Sequence, residues 1–112
     1  MKIPGWPIFI ITVLFTSCSK SGTDNPDPCE GPVKTWAADV NPIIQTYCNQ
    51  ASCHASGSVN GPGPLTNYTQ VFNARTVIRE AIKSGFMPQD ATLSATQRNS
   101  IICWIDNGAS NN

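Results

Sequence analysis

The chain has 112 residues, of which 12% are charged, and its seven basic side chains are balanced by seven acidic ones. Such a chain has room for one small domain. It carries no basic footprint able to neutralise a phosphate backbone, so no nucleic-acid partner is expected.

At the N-terminus Lys2 precedes the apolar run IFIITVLF, residues 8–15. The run is too short to cross a bilayer but fits the core of a secretory signal peptide, so the protein is expected to be exported. It ends in LFTSC, where Ser17 precedes Cys18. This stretch resembles the lipobox of bacterial lipoproteins, with Phe15 in the place usually held by leucine. The resemblance implies removal of residues 1–17 and lipidation of Cys18. The following SKSGTDNPDP is polar and rich in Pro, Gly and Ser, the composition of a flexible tether. The expected organisation is a signal peptide at 1–17, a lipidated cysteine and tether at 18–32, and one folded domain at 33–112. Loss of Lys2 leaves six basic residues against seven acidic ones, a net charge of −1, so strong electrostatic steering toward a partner is not expected. A domain of this size is marginal on apolar burial alone and needs a staple.

Three helical stretches follow. In ADVNPIIQTYC, Val40, Ile43, Ile44 and Tyr47 recur at helical spacing, Asp39 or Asn41 is a candidate N-cap, and Pro42 suits the first turn. That helix runs directly into Cys48. After the glycine- and proline-rich ASGSVNGPGP, residues 65–84 read as two helices broken near Asn73 and stopped by Gly85. The last helix opens with Ser94 as N-cap and Gln97 three residues on, presents Ile101, Ile102, Trp104 and Ile105, and ends at Asp106-Asn107-Gly108. No segment alternates as a strand does, so the predicted class is all-α with long loops.

Between the first two helices lies QTYCNQASCHASG, in which Cys48 and Cys53 stand five apart and the chain's single histidine, His54, follows directly. A zinc site has the right cysteine spacing but would have to recruit Cys29 or Cys103, and adjacent Cys53 and His54 make an awkward ligand pair. Reduced structural thiols are also unusual in an exported protein. Type-1 copper needs a second histidine, and a Ser-His-Asp or Cys-His hydrolase would set its only base beside a cysteine. Covalent haem uses every residue of the cluster: two thiols for the two vinyl groups and an imidazole for the iron, as in C-x-x-C-H. Here the spacer is Asn49, Gln50, Ala51 and Ser52, so two extra residues must loop outward. A disulfide hairpin with a surface histidine is the other reading of the same residues.

Downstream come Gly63-Pro64-Leu65 and, before the last helix, Met87-Pro88. From Val40 to Ala109 the order of helix, attachment motif, Gly-Pro-Leu, middle helices, Met-Pro and C-terminal helix resembles the class I c-type cytochromes. The resemblance implies three to four short helices and long loops wrapped around one haem c. It also implies thioether bonds from Cys48 and Cys53, His54 as proximal ligand, and Met87 as distal ligand. By the same likeness the Pro64 carbonyl would accept the His54 Nδ1 proton and Leu65 would pack on the porphyrin. The first and last helices would cross, setting Val40 and Tyr47 against Trp104 and Ile105. With both axial positions filled, the expected function is electron transfer rather than catalysis. The partners would be redox proteins of the bacterial cell envelope, and the lipid anchor would hold the domain at a periplasmic or outer-membrane face. The alternative is a haem-free, disulfide-stabilised lipoprotein serving as a binding or interaction module. A third possibility is a haem sensor or enzyme in which Met87 does not ligate.

Cysteine parity adds one expectation. Of five cysteines, Cys18 goes to lipid and Cys48 and Cys53 to haem, which leaves Cys29 and Cys103 as a disulfide. The competing reading keeps Cys103 as a buried free thiol and Cys29 as an unpaired tether residue.

Overall fold

A computed structural model describes residues 1–5, 14 and 27–112. Lipidation at Cys18, most of the signal-peptide core and most of the tether lie outside the described residues. Within the described residues there is no strand. A π-helical turn, Trp36–Val40, leads into α1 (Asn41–Tyr47), followed by α2 (Tyr68–Asn73), α3 (Arg75–Ser84) and α4 (Ala95–Asp106).

The first helical stretch begins ahead of the expected caps. Thr35 is extended and its side chain accepts the Ala38 N–H, while the Asp39 carboxylate accepts the Thr35 backbone N–H at 2.7 Å. Asp39 therefore points back toward Thr35 rather than capping α1. Asn41 lies inside the helix, its side-chain oxygen taken by Gln45 Nε2 at 3.0 Å. The cause is Pro42, which has no N–H to carry an i→i−4 ladder back to Ala38. The turn before it closes through wider bonds instead, Val40 N to Thr35 O at 3.2 Å and Asn41 N to Trp36 O.

The remaining boundaries follow their local chemistry. Asn67 caps α2 by accepting the Gln70 N–H, Ala74 breaks α2 from α3, and Gly85 at φ 77° supplies the left-handed residue that ends α3. At α4, Ser94 and Gln97 form a reciprocal capping box: Gln97 N donates to Ser94 Oγ at 3.1 Å and Ser94 N to Gln97 Oε1 at 2.9 Å.

An aromatic centre joins these elements. Trp36 packs on Trp104 with ring centroids 5.5 Å apart and on Tyr68 at 5.6 Å. Val40, Ile44, Val71, Ile101 and Trp104 are fully buried around them, each contributing about 1.5–3 kcal/mol in apolar burial. The N-terminal contact with α4 is thus made chiefly by the π-helical turn through Trp36. Tyr47, expected against Trp104, instead meets the start of α4, its hydroxyl accepting from Gln97 Nε2 at 3.4 Å. The chain beyond α4 folds back over this centre. Tyr68 Oη donates to Ala109 O at 2.8 Å, Trp104 Nε1 to Ser110 O at 2.9 Å, and Ala37 N to Asn112 O at 2.9 Å.

Two cross-ties fix α4. Arg79 of α3 grips Asp106 with Nε–Oδ1 at 2.7 Å and Nη2–Oδ2 at 3.0 Å, and this forked bond holds the Asp106 carboxyl below its usual range. Cys29 is disulfide-bonded to Cys103, with Cα atoms 5.3 Å apart. The bond clamps the chain just ahead of the domain onto the buried face of the last helix.

Candidate cofactor site

The site is built from the end of α1. Cys48 is the C-cap of that helix, its N–H bonded to Ile44 O at 2.9 Å. The chain then coils back on itself: Cys48 O accepts from Gln50 N at 2.9 Å and from His54 N at 3.0 Å, while Gln50 O accepts from Cys53 N at 2.9 Å and Ala55 N at 3.2 Å. These bonds absorb the four-residue spacer in a compact turn and return His54 to the end of α1. Asn49, at the base of the turn, is tied to the helix through Gln45 Oε1 at 2.6 Å.

His54 is buried, and its ring makes one hydrogen bond among the described residues, from Nδ1 to Gly63 O at 2.9 Å. A carbonyl only accepts, so Nδ1 carries a proton, and in the neutral imidazole Nε2 then keeps its lone pair. Leu65 N donates to His54 O at 2.8 Å, pinning the strap that carries Gly63 alongside the histidine. The acceptor lies one residue earlier than the Pro64 carbonyl expected from the cytochrome resemblance. Gly63 adopts φ 85°, a left-handed conformation that turns the backbone there and suits glycine. Pro64 accordingly lines a shallow neighbouring hollow, and Pro62 takes a place in the wall of the main cavity.

Met87 reaches the same region from the other side of the chain. Past Gly85 the loop doubles back, and Met87 N donates to Ala81 O at 3.1 Å. The Met87 side chain is half-buried and packs on the hydrophobic core.

These residues share one cavity of about 590 Å³, within the roughly 300–1,000 Å³ usual for cofactor and ligand pockets. Cys48, Cys53, His54, Leu65 and Met87 all line it. Ile78, Ala81 and Ile82 of α3 supply an apolar wall, and Ser52, Asn60, Gln89 and Asp90 are polar members of the lining. Both cavity cysteines are free thiols, Cys48 buried and Cys53 partly so. Burial, and secondarily the neighbouring Cys53, pushes the Cys48 thiol up to about 11.

Chemically, the cavity offers two protonated or protonatable thiols, an imidazole nitrogen with a free lone pair and a thioether. Among the described residues no group of three or more His, Cys, Asp or Glu is placed to hold a metal ion by itself. A porphyrin iron, which brings four nitrogens of its own, asks only two ligands of the protein. The donor set fits that demand.

Sequence reasoning found both thiols, the histidine, the leucine and the methionine, but not Gly63 or Asn60. The Gly63 role belongs to its backbone carbonyl, which leaves no side-chain signature, and the doubled Gly-Pro of GPGP obscures which unit faces the ring. No protein-family model matches the chain, and neither a curated protein nor a solved structure does.

Proposed function

We propose that the protein is a monohaem c-type cytochrome of the class I kind, an electron carrier of the bacterial cell envelope. Cys48 and Cys53 would hold the haem through thioether bonds, and His54 Nε2 and Met87 Sδ would ligate its iron. Bound haem supplies a one-electron ferrous–ferric couple. The observation that carries the reading is the convergence, on one cavity, of two unpaired thiols, a histidine with a fixed tautomer and a methionine more than thirty residues away, while the other two described cysteines pair with each other.

Each residue has a task that its surroundings support. The Gly63 carbonyl holds the imidazole orientation, as outer partners of ligating histidines do. Leu65 and the α3 wall exclude water from the macrocycle, and the thioether of Met87 favours the ferrous state. With Met87 and His54 on the iron no position is left for dioxygen or substrate, which suits a relay and not a catalyst. Cys18, in the lipoprotein-like segment, anchors the domain by lipid, and its redox partners are envelope proteins.

The disulfide-hairpin alternative expects Cys48 bonded to Cys53, an arrangement that the two free thiols do not favour. The test is a haem stain of the exported protein after denaturing electrophoresis. Wild type is expected to keep its colour, and Cys48→Ala/Cys53→Ala to lose it. An unstained wild-type band overturns the proposal.

A further inference from the structure

The longer cysteine spacer raises a mechanical question: what holds Cys53 in place once the turn has two residues more than the usual motif? The backbone bonds within the spacer tie Cys53 N to Gln50 O but leave the Cys53 carbonyl outside that network. That carbonyl is instead gripped from the far side of the loop. Asn60 Nδ2 donates to Cys53 O at 3.0 Å and to Ser52 O at 3.1 Å, and the Ser58 hydroxyl donates to Cys53 O as well. Ser58 is itself held, its Oγ accepting the Asn60 backbone N–H at 3.2 Å. Both lone pairs of the Cys53 carbonyl are thereby used, and the last spacer residue and the second thiol are tied to the strap that continues through Gly61 to Gly63.

Given the haem reading above, on which this rests, we infer that Asn60, assisted by Ser58, is a positioning residue for the second thioether bond. The step it serves is an addition to a divinyl porphyrin. Cys53 Sγ bonds the vinyl carbon next to the ring, the thiol hydrogen goes to the terminal CH₂, which becomes CH₃, and the C=C becomes a single bond. No electron is gained or lost, so no oxidant or reductant enters. What the step requires is that Sγ be aimed while Cys48, fixed at the helix end, is already engaged. A spacer this long leaves the Cys53 thiol free to swing unless its carbonyl is held. Asn60 is suited to this because it has two N–H donors on one nitrogen and lies at the cavity itself.

The test compares wild type, Asn60→Ala, Ser58→Ala and Cys53→Ser, each as the full exported chain made in cells that load haem. The protein is denatured, treated with iodoacetamide and mapped by peptide mass; the pyridine haemochrome band is recorded in parallel. Wild type should carry haem and leave neither Cys48 nor Cys53 open to alkylation. Each hydrogen bond lost lowers the population of the aligned loop about fivefold. Asn60→Ala, which loses two, should therefore show roughly 25-fold more alkylated Cys53 than wild type, and Ser58→Ala, which loses one bond to the Cys53 carbonyl, roughly fivefold. Cys48 should stay protected in both, and the haemochrome band should move toward that of Cys53→Ser, in which one vinyl group is unsaturated. Two intact thioethers in both variants, or alkylation shared equally by Cys48 and Cys53 as a general loosening would give, overturns the inference while leaving covalent haem in place. If Asn60→Ala is not recovered, Ser58→Ala decides by the same criteria. A wild-type protein without covalent haem removes the haem reading and this inference together.

Discussion

Opening the Cys29–Cys103 disulfide should cost the domain a large part of its stability. The bond joins residues 74 apart in sequence. In the chain-entropy treatment, a closed loop of that length restricts the unfolded ensemble by about 4.4 kcal/mol at 25 °C. Small domains are stable by only about 5–15 kcal/mol in total, so the bond accounts for roughly 30% or more of the margin. Cys29→Ser is the cleaner perturbation, because Cys103 is buried at 2% exposure and keeps its packing as a free thiol, whereas Cys29 is only half-buried. The assay is guanidinium unfolding of the haem-loaded protein. In the proposed function the haem is covalent and would stay on the chain in both states, so cofactor release would not confuse the comparison. With a slope near 2 kcal/mol/M for a domain this small, the midpoint should fall by roughly 2 M. A change below about 1 kcal/mol, or a non-reducing digest lacking the joined Cys29–Cys103 peptide, refutes the reasoning.

Met87→Ala is expected to open an axial position, so that the ferrous variant binds carbon monoxide and its reduction potential falls, while wild type binds none; carbon monoxide difference spectra check this. With the proposed lipid anchor at Cys18, wild type should stay with membranes in high salt and Cys18→Ser should move to the soluble fraction, as fractionation with and without salt would read, because a lipid anchor is not screened. Ser94→Ala removes the hydroxyl half of the capping box and should destabilise α4 by about 1 kcal/mol in denaturant titration. In haem-free protein the Cys48 thiol, raised to about 11 by burial, should alkylate slowly at pH 8, since the thiolate is the nucleophile. Its rate should climb as the pH is raised toward 11, as iodoacetamide labelling over time would show.

Elements set by local chemistry were readable in the sequence, and those set by long-range contact were not. The α4 cap needs only Ser94 and Gln97, three residues apart, and the end of α3 needs only a residue that tolerates positive φ at position 85. The start of the first helix departs from the expected caps because the missing N–H of Pro42 shifts the ladder into a π-helical turn, stabilised by Trp36 packing on a helix nearly seventy residues away. The tail contacts to Tyr68, Trp104 and Ala37 are likewise invisible to periodicity. At the cavity, side chains with distinctive chemistry announced themselves. Gly63 acts through a carbonyl that every residue possesses, and Asn60 through an amide common in any loop, so neither stood out.

The cavity also bears on how so small a domain holds together. The folded part begins near Cys29, where the disulfide ties it to α4, and Arg79 ties α3 to the same helix. The α1 end, the Cys48–His54 turn and the Met87 loop all line the cavity. In the proposed function a haem c is the element that closes this side, by covalent bonds to the first two and an axial bond to the third. Covalent haem should therefore act as a structural staple as well as a redox centre.

The most direct measurement is the pyridine haemochrome spectrum of the exported protein after acid-acetone extraction, which removes haem held only by ligation. The account predicts that the haem stays with the polypeptide and gives one c-type chromophore per chain, with an α-band at the position of a porphyrin whose two vinyl groups are both saturated. A colourless polypeptide, or haem recovered entirely in the acetone, contradicts it.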